Sequence, residues 1–118
     1  VELRDLSGSR WELALLLDDG GPTYPTGGSI EFAVSGRVSG STGCNRFNGP
    51  CQIVDGRLLI GRLAVTRGAC KGERQAQEQF IVAMLRSHPR LRLDGTDLII
   101  ETPDGNQARY RPGVGPLH

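Results

Sequence analysis

The chain has 118 residues, the size of one domain with a core of its own, and 37% hydrophobic against 23% charged residues is ordinary for a globular protein. Lys+Arg of 14 against Asp+Glu of 13 leaves a formal net charge of +1, which excludes the basic footprint of a nucleic-acid or anionic-membrane binder. No apolar run reaches the roughly 18 residues of a membrane-spanning helix.

Seventeen glycines and seven prolines predict many turns between short strands. Ser9 to Leu17 reads as the first strand, with Trp11, Leu13 and Leu15 on one face and Glu12 on the other. Asp18 to Gly28 reads as a turn-rich loop. Ser29 to Val34 alternates, with Ile30, Phe32 and Val34 facing one way. Ser35-Gly36 is a hairpin signal, and Arg37 to Ser41 returns antiparallel. Gly43 to Gly49 reads as an irregular loop. Cys51 to Val54, Leu58 to Ile60 and Ala64 to Thr66 follow as short strands, the first two joined by Asp55-Gly56.

One helix is predicted from about Glu73 to Arg86, where Ala76, Phe80 and Met84 recur at four-residue spacing beside Ile81 and Leu85. Glu73 suits the positive end of the helix dipole, and Pro89 ends the segment. Leu91 to Leu93, Asp97 to Thr102 and Gln107 to Arg111 are the last strands, and a loose tail begins at about 112. Strands, one helix, then strands, with connections too short for crossovers, predict an α+β domain over 1–118. Its sheet is strongly curved and mainly antiparallel, a partial barrel, with the helix packed on it.

Cys44, Cys70 and Cys51 make an odd set, read either as three buried thiols or as one disulfide and a spare thiol. A zinc site lacks any C-x-x-C pair and needs His88 as a fourth ligand. His88 and the terminal His118 stand outside any catalytic motif, and Asp18 and Asp19 sit together in a turn. With no G-x-S-x-G, no H-E-x-x-H and no phosphate loop, no catalytic, cofactor or metal residues are assigned; a Cys44 nucleophile lacks an evident base.

Gly40-Ser-Thr-Gly43-Cys44-Asn45-Arg46-Phe47-Asn48-Gly49 resembles the central G-C-N-R-F-x-G signature of the META domain (HslJ-like) family. Leu63 to Cys70 is similar to that family's segment ending in Ala-Cys. Glu78-Gln79-Phe80 through Leu85 is similar to its helix, and Leu6-Ser-Gly8-Ser-Arg-Trp11 to its opening L-x-G-x-x-W. The likeness spans Leu6 to about Tyr110. Cys51 stands where the family commonly carries an aromatic residue, and Gly68 where it often carries a methionine.

The resemblance implies a non-enzymatic domain without a cofactor. Family members are often periplasmic, secreted or lipid-anchored bacterial proteins, linked among other things to heat shock. Any signal peptide or lipid anchor would precede Val1. A disulfide between Cys44 and Cys70 is implied if the protein is exported. Asn45, Arg46, Phe47 and Glu78 become the motif residues to examine for a partner: Phe47 as a core anchor, Asn45 as a turn cap, and Arg46 with Glu78 as an ion pair. The partner expected for a monomer of this kind is an envelope protein or a small apolar ligand in the concave face of the sheet. A purely structural domain of a lipoprotein is the alternative, and a small enzyme using Cys44 a further one.

Overall fold

A computed structural model describes residues 2–113. After a single turn of helix, α1 (Leu3–Leu6), come β1 (Ser9–Asp18), β2 (Gly21–Thr23), β3 (Ser29–Phe32), β4 (Arg37–Ser41), β5 (Arg46–Val54), β6 (Arg57–Ile60) and β7 (Ala64–Val65). The long helix α2 (Glu73–Arg86) follows, then β8 (Arg90–Asp94), β9 (Asp97–Glu101) and β10 (Gln107–Pro112). All pairings are antiparallel and run β10-β9-β8-β6-β5-β4-β3-β1. β10 then pairs β1, so the curvature expected of the sheet goes on to full closure as an eight-stranded barrel. Closure leaves those strands no open edge, which is the stable outcome for a strongly twisted antiparallel sheet. β2 extends from β1, and β7 pairs β5 alone.

The alternating residues of the strands fill the barrel. Ile30, Phe32, Val38, Phe47, Leu58, Leu91, Leu98, Ile100 and Tyr110 form one buried cluster with Ile81, Met84 and Leu85 of α2. The concave face is therefore occupied by the chain's own side chains. The helix spans the residues its sequence predicts, but its buried face is Gln77, Ile81, Met84 and Leu85. Ala76 is exposed and Phe80 half-buried, so the stripe is rotated by one residue from the one centred on Ala76 and Phe80.

Other departures have local causes. In β1, Leu13 pairs Tyr110 while Leu15 pairs Arg109, so Ala14 is an extra residue, a β-bulge. Beyond it the alternation changes phase, and Leu16 rather than Leu15 is buried. Val34 is 84% exposed because β3 ends at Phe32 and the turn takes in Ala33 as well. Ala33 N–H donates to Arg37 C=O at 2.9 Å, and Gly36 N–H to Ala33 C=O at 3.1 Å. The expected loop from Gly43 to Gly49 is mostly strand, since β5 begins at Arg46 and pairs β4 from Arg46↔Ser41 onward. Gly40 lies opposite Phe47 in that ladder, and a Cβ at position 40 would stand 2.8 Å from the Phe47 ring. The predicted Asp55-Gly56 turn forms with φ of 51° and 76°, the left-handed pair that a two-residue hairpin requires. β10 runs through Pro112, and the rest of the expected loose tail, 114–118 with His118, lies outside the described residues.

Candidate functional site: the signature turn and the groove beside it

Between β4 and β5 the chain reverses at Thr42–Asn45. Thr42 N–H donates to Asn45 C=O at 2.8 Å. The Thr42 hydroxyl accepts from Cys44 N–H at 3.1 Å and Asn45 N–H at 2.9 Å. Its own proton goes to Glu78 Oε1 at 2.8 Å, the shorter and charge-assisted of its two acceptors. Gly43 has φ of 99° at this turn, and a Cβ there would run into the Gln77 amide; both reasons demand glycine.

Asn45 is 5% exposed, and its amide is fully engaged. Nδ2 donates to Gly68 C=O at 3.0 Å and Glu78 Oε2 at 3.1 Å. Oδ1 accepts from Gly68 N–H at 2.7 Å and the Thr66 hydroxyl at 3.0 Å. The two donors facing Oδ1 fix the orientation of the amide. α2 holds the same turn from the other side. Arg74 donates twice to Gly43 C=O, at 3.0 and 2.7 Å. Buried Gln77 donates to Thr42 C=O at 2.8 Å and Gly27 C=O at 3.0 Å, and accepts from Thr26 N–H at 2.9 Å.

Cys44 and Cys70 are joined in a disulfide with a Cα–Cα distance of 6.2 Å across 26 residues. Cys51 is a buried free cysteine, and burial raises its thiol pKa against the smaller opposing pull of Arg37. Cys44, Cys70 and Glu78 have their ligand-type atoms within 4.8 Å of one another, and His88 is not among them. With its sulfurs bonded to each other, this cluster lacks the thiolates that zinc takes.

The expected Arg46–Glu78 ion pair is not made. Glu78 receives Thr42 and Asn45, while Arg46 is exposed beside Arg10, Glu12 and Ser41. Strand alternation decides this: Asn45 and Phe47 face inward, so the residue between them faces out. Phe47 is buried in the core and presents nothing to the surface.

A groove of about 850 Å³ opens next to the network. One wall is the segment Leu63 to Gly68, which contains β7; the other is Glu78, Gln79, Val82, Ala83 and Arg86 of α2. Asn45 and Glu78 close one end. Leu63 and Val65 also pack against the core cluster, so this wall is anchored to the barrel. Among the described residues no helix is long and apolar enough to cross a membrane.

Residues 4–113 match the family model of the META domain. The chain belongs to the META domain family. Two solved structures share the META fold of this chain. One, an NMR structure of a protein from Burkholderia xenovorans, superposes with a TM-score of 0.79 at 19% identity, covering 96% of this chain and 87% of that one. The other, also solved by NMR, gives 0.72 at 26% identity, covering 92% and 93%. No curated protein matches the chain by sequence.

The META signature is thus one arm of a three-way junction between turn, Ala-Cys segment and helix. Reasoning from sequence missed Thr42, Thr66, Arg74 and Gln77 as members of it. Gln77 was detectable: it stands in phase with Ile81, Met84 and Leu85, and a polar residue on a buried helix face needs partners. Thr66 and Arg74 carry no such signal, because their partners are reached only through tertiary contact.

Proposed function

We propose that this META domain is a non-enzymatic binding module of the bacterial cell envelope, and that the groove between β7 and α2 is where it binds. The observation that carries the reading is the position of the groove. It ends on Asn45 and Glu78, and the network and disulfide that hold the signature also hold both of its walls. The groove sets Leu63, Val65, Val82 and Ala83 among polar and charged side chains such as Arg67 and Arg86, and preformed concavities of this size are where proteins take ligands. The disulfide fits an oxidising compartment, which supports export, with or without a lipid anchor. The sulfur that a Cys44 nucleophile would need is tied up in that bond. The packed barrel interior directs a partner to the groove rather than to the concave face of the sheet.

Two measurements test the reading. Protein from its native host, denatured without reductant, should show one free thiol at Cys51 and a Cys44–Cys70 peptide by mass; three free thiols would argue against export. A photo-crosslinking residue at Ala83 should give a discrete adduct in the envelope. That adduct should be absent from the same probe at exposed Leu93 and lost on Gln79→Trp, which fills the groove. No adduct from Ala83, or the same adduct from both positions, rejects the groove.

A further inference from the structure

We infer that the occupant of the groove is an extended, acidic peptide segment of a partner protein, added as a strand along the free edge of β7. The inference rests on the groove being the binding site.

The backbone supplies the first argument. β7 pairs β5 through Val65↔Phe47 and Ala64↔Asn48, and Thr66 N–H donates to Arg46 C=O at 2.9 Å. In an antiparallel ladder the backbone groups of successive residues point to opposite sides. Ala64 and Thr66 face β5, so the N–H and C=O of Val65 and Arg67 face away from it. No strand of the sheet lies there; the groove does. An unpaired edge of this kind is a template for another strand, and main-chain bonds along it give affinity without demanding a sequence.

Length fits as well. Gly68 is tied to Asn45 and Asn45 to Glu78, so the Leu63–Gly68 wall runs antiparallel to the Glu78–Arg86 wall. Eight helical rises from Glu78 to Arg86 make about 12 Å, room for about four residues of extended chain at about 3.3 Å each. Alternate side chains of such a guest would lie on Val82 and Ala83.

Charge supplies the second, independent argument. Arg67 and Arg86 both line the groove, and neither enters an ion pair among the described residues. The groove's carboxylate, Glu78, already accepts a hydrogen bond at each oxygen. Those donors are neutral and Glu78 keeps its charge, so the two guanidinium groups, towards opposite ends of the site, leave the groove a net charge of +1. Guest carboxylates near each end of the added strand would meet them, and arginine forks suit carboxylates.

The test uses the whole chain, labelled with ¹⁵N, and two blocked pentapeptides with valine-threonine-valine between their ends. One carries glutamate at both ends, the other lysine. The glutamate peptide should shift amides in 63–68 and 79–86, slow hydrogen exchange at the Val65 amide, and bind more weakly as salt is raised. The exposed double variant Arg67→Gln/Arg86→Gln should weaken it at least tenfold while leaving the remaining spectrum in place. Equal binding of the lysine peptide would overturn the charge argument, and shifts without protection at Val65 would overturn strand addition. Concentration-dependent shifts at β7 without peptide would assign the edge to a second copy of the chain instead. No binding of either peptide, with an adduct still formed from Ala83 in the envelope, would reject this inference and leave the binding module standing; failure of both would reject both.

Discussion

Asn45 is the residue on which the site turns. It is buried, all four of its hydrogen-bonding positions are used, and its partners come from two separate segments, Thr66–Gly68 and α2. Removing it strands the Gly68 backbone and one oxygen of Glu78 together, so Asn45→Ala should cost about 2–4 kcal/mol in urea unfolding. A double-mutant cycle should find coupling between Asn45 and Glu78 and none between Arg46 and Glu78. Coupling through Arg46 would mean that its side chain turns inward and that the phase of β5 is reversed. Tyr110 poses the opposite case: its hydroxyl is buried without a hydrogen-bond partner in the described structure, and burial raises its pKa. Tyr110→Phe should therefore lie within about 1 kcal/mol of the parent at neutral pH. The sign of the pH effect follows from linkage. The fold keeps Tyr110 and Cys51 protonated past their ordinary values of 10.0 and 9.0, while the unfolded chain releases those protons. Stability from these groups is intact below those values and lost as pH rises above them. Between about pH 8 and about pH 11 the parent should lose more stability than Tyr110→Phe; equal losses would remove Tyr110 as a cause.

At the scale of elements, α2 does two jobs with one face. Ile81, Met84 and Leu85 enter the barrel core, and one turn earlier Arg74, Gln77 and Glu78 grip the signature turn. The apolar half supplies burial, at roughly 25 cal/mol per Å² removed from water; the polar half sets the helix in register against β4 and β5. The disulfide adds a covalent tie between the turn and the segment leading into α2. For a loop of 26 residues, closure constrains the unfolded chain by about 3–4 kcal/mol. The double variant Cys44→Ser/Cys70→Ser should lower stability by that order, read from the denaturation midpoint, and should broaden amide signals along Leu63–Gly68. A variant as stable as the parent would show that the hydrogen-bonded junction holds the turn by itself.

For the whole molecule, the strength of the barrel is uneven around its circumference. The β1–β10 closure runs from Trp11↔Pro112 to Leu17↔Gln107 across the Ala14 bulge. The β6–β8 seam has the single aligned pair Arg57↔Arg90, flanked by Leu58 N–H to Pro89 C=O and Leu91 N–H to Gly56 C=O, both 2.8 Å. Local opening should begin where fewest bonds break. Native-state hydrogen exchange at Leu58 and Leu91 should be at least about tenfold faster than at Ala108. Slower exchange at the seam would show that α2, which touches β6, clamps the barrel more firmly than the ladder does.

Sequence alone determined what short-range physics controls. The helix limits from Glu73 to Arg86 follow from periodicity and Pro89, the Asp55-Gly56 hairpin from turn chemistry, and the curved antiparallel sheet from short strands and short connections. Family membership was also legible, because the Gly40–Gly49 and Leu63–Cys70 segments carry residue types that few other arrangements need. Tertiary structure alone decided the rest. Closure of the sheet depends on β1 meeting β10, residues almost a chain length apart, and no local signal records it. The Ala14 bulge that moves burial from Leu15 to Leu16 lies within the same β1–β10 closure. Glu78 takes Asn45 rather than Arg46 because strand alternation in β5 turns Arg46 outward, whatever the attraction between opposite charges. The groove exists only because β7 and α2, each ordinary in sequence, are held apart by a junction built from three distant segments.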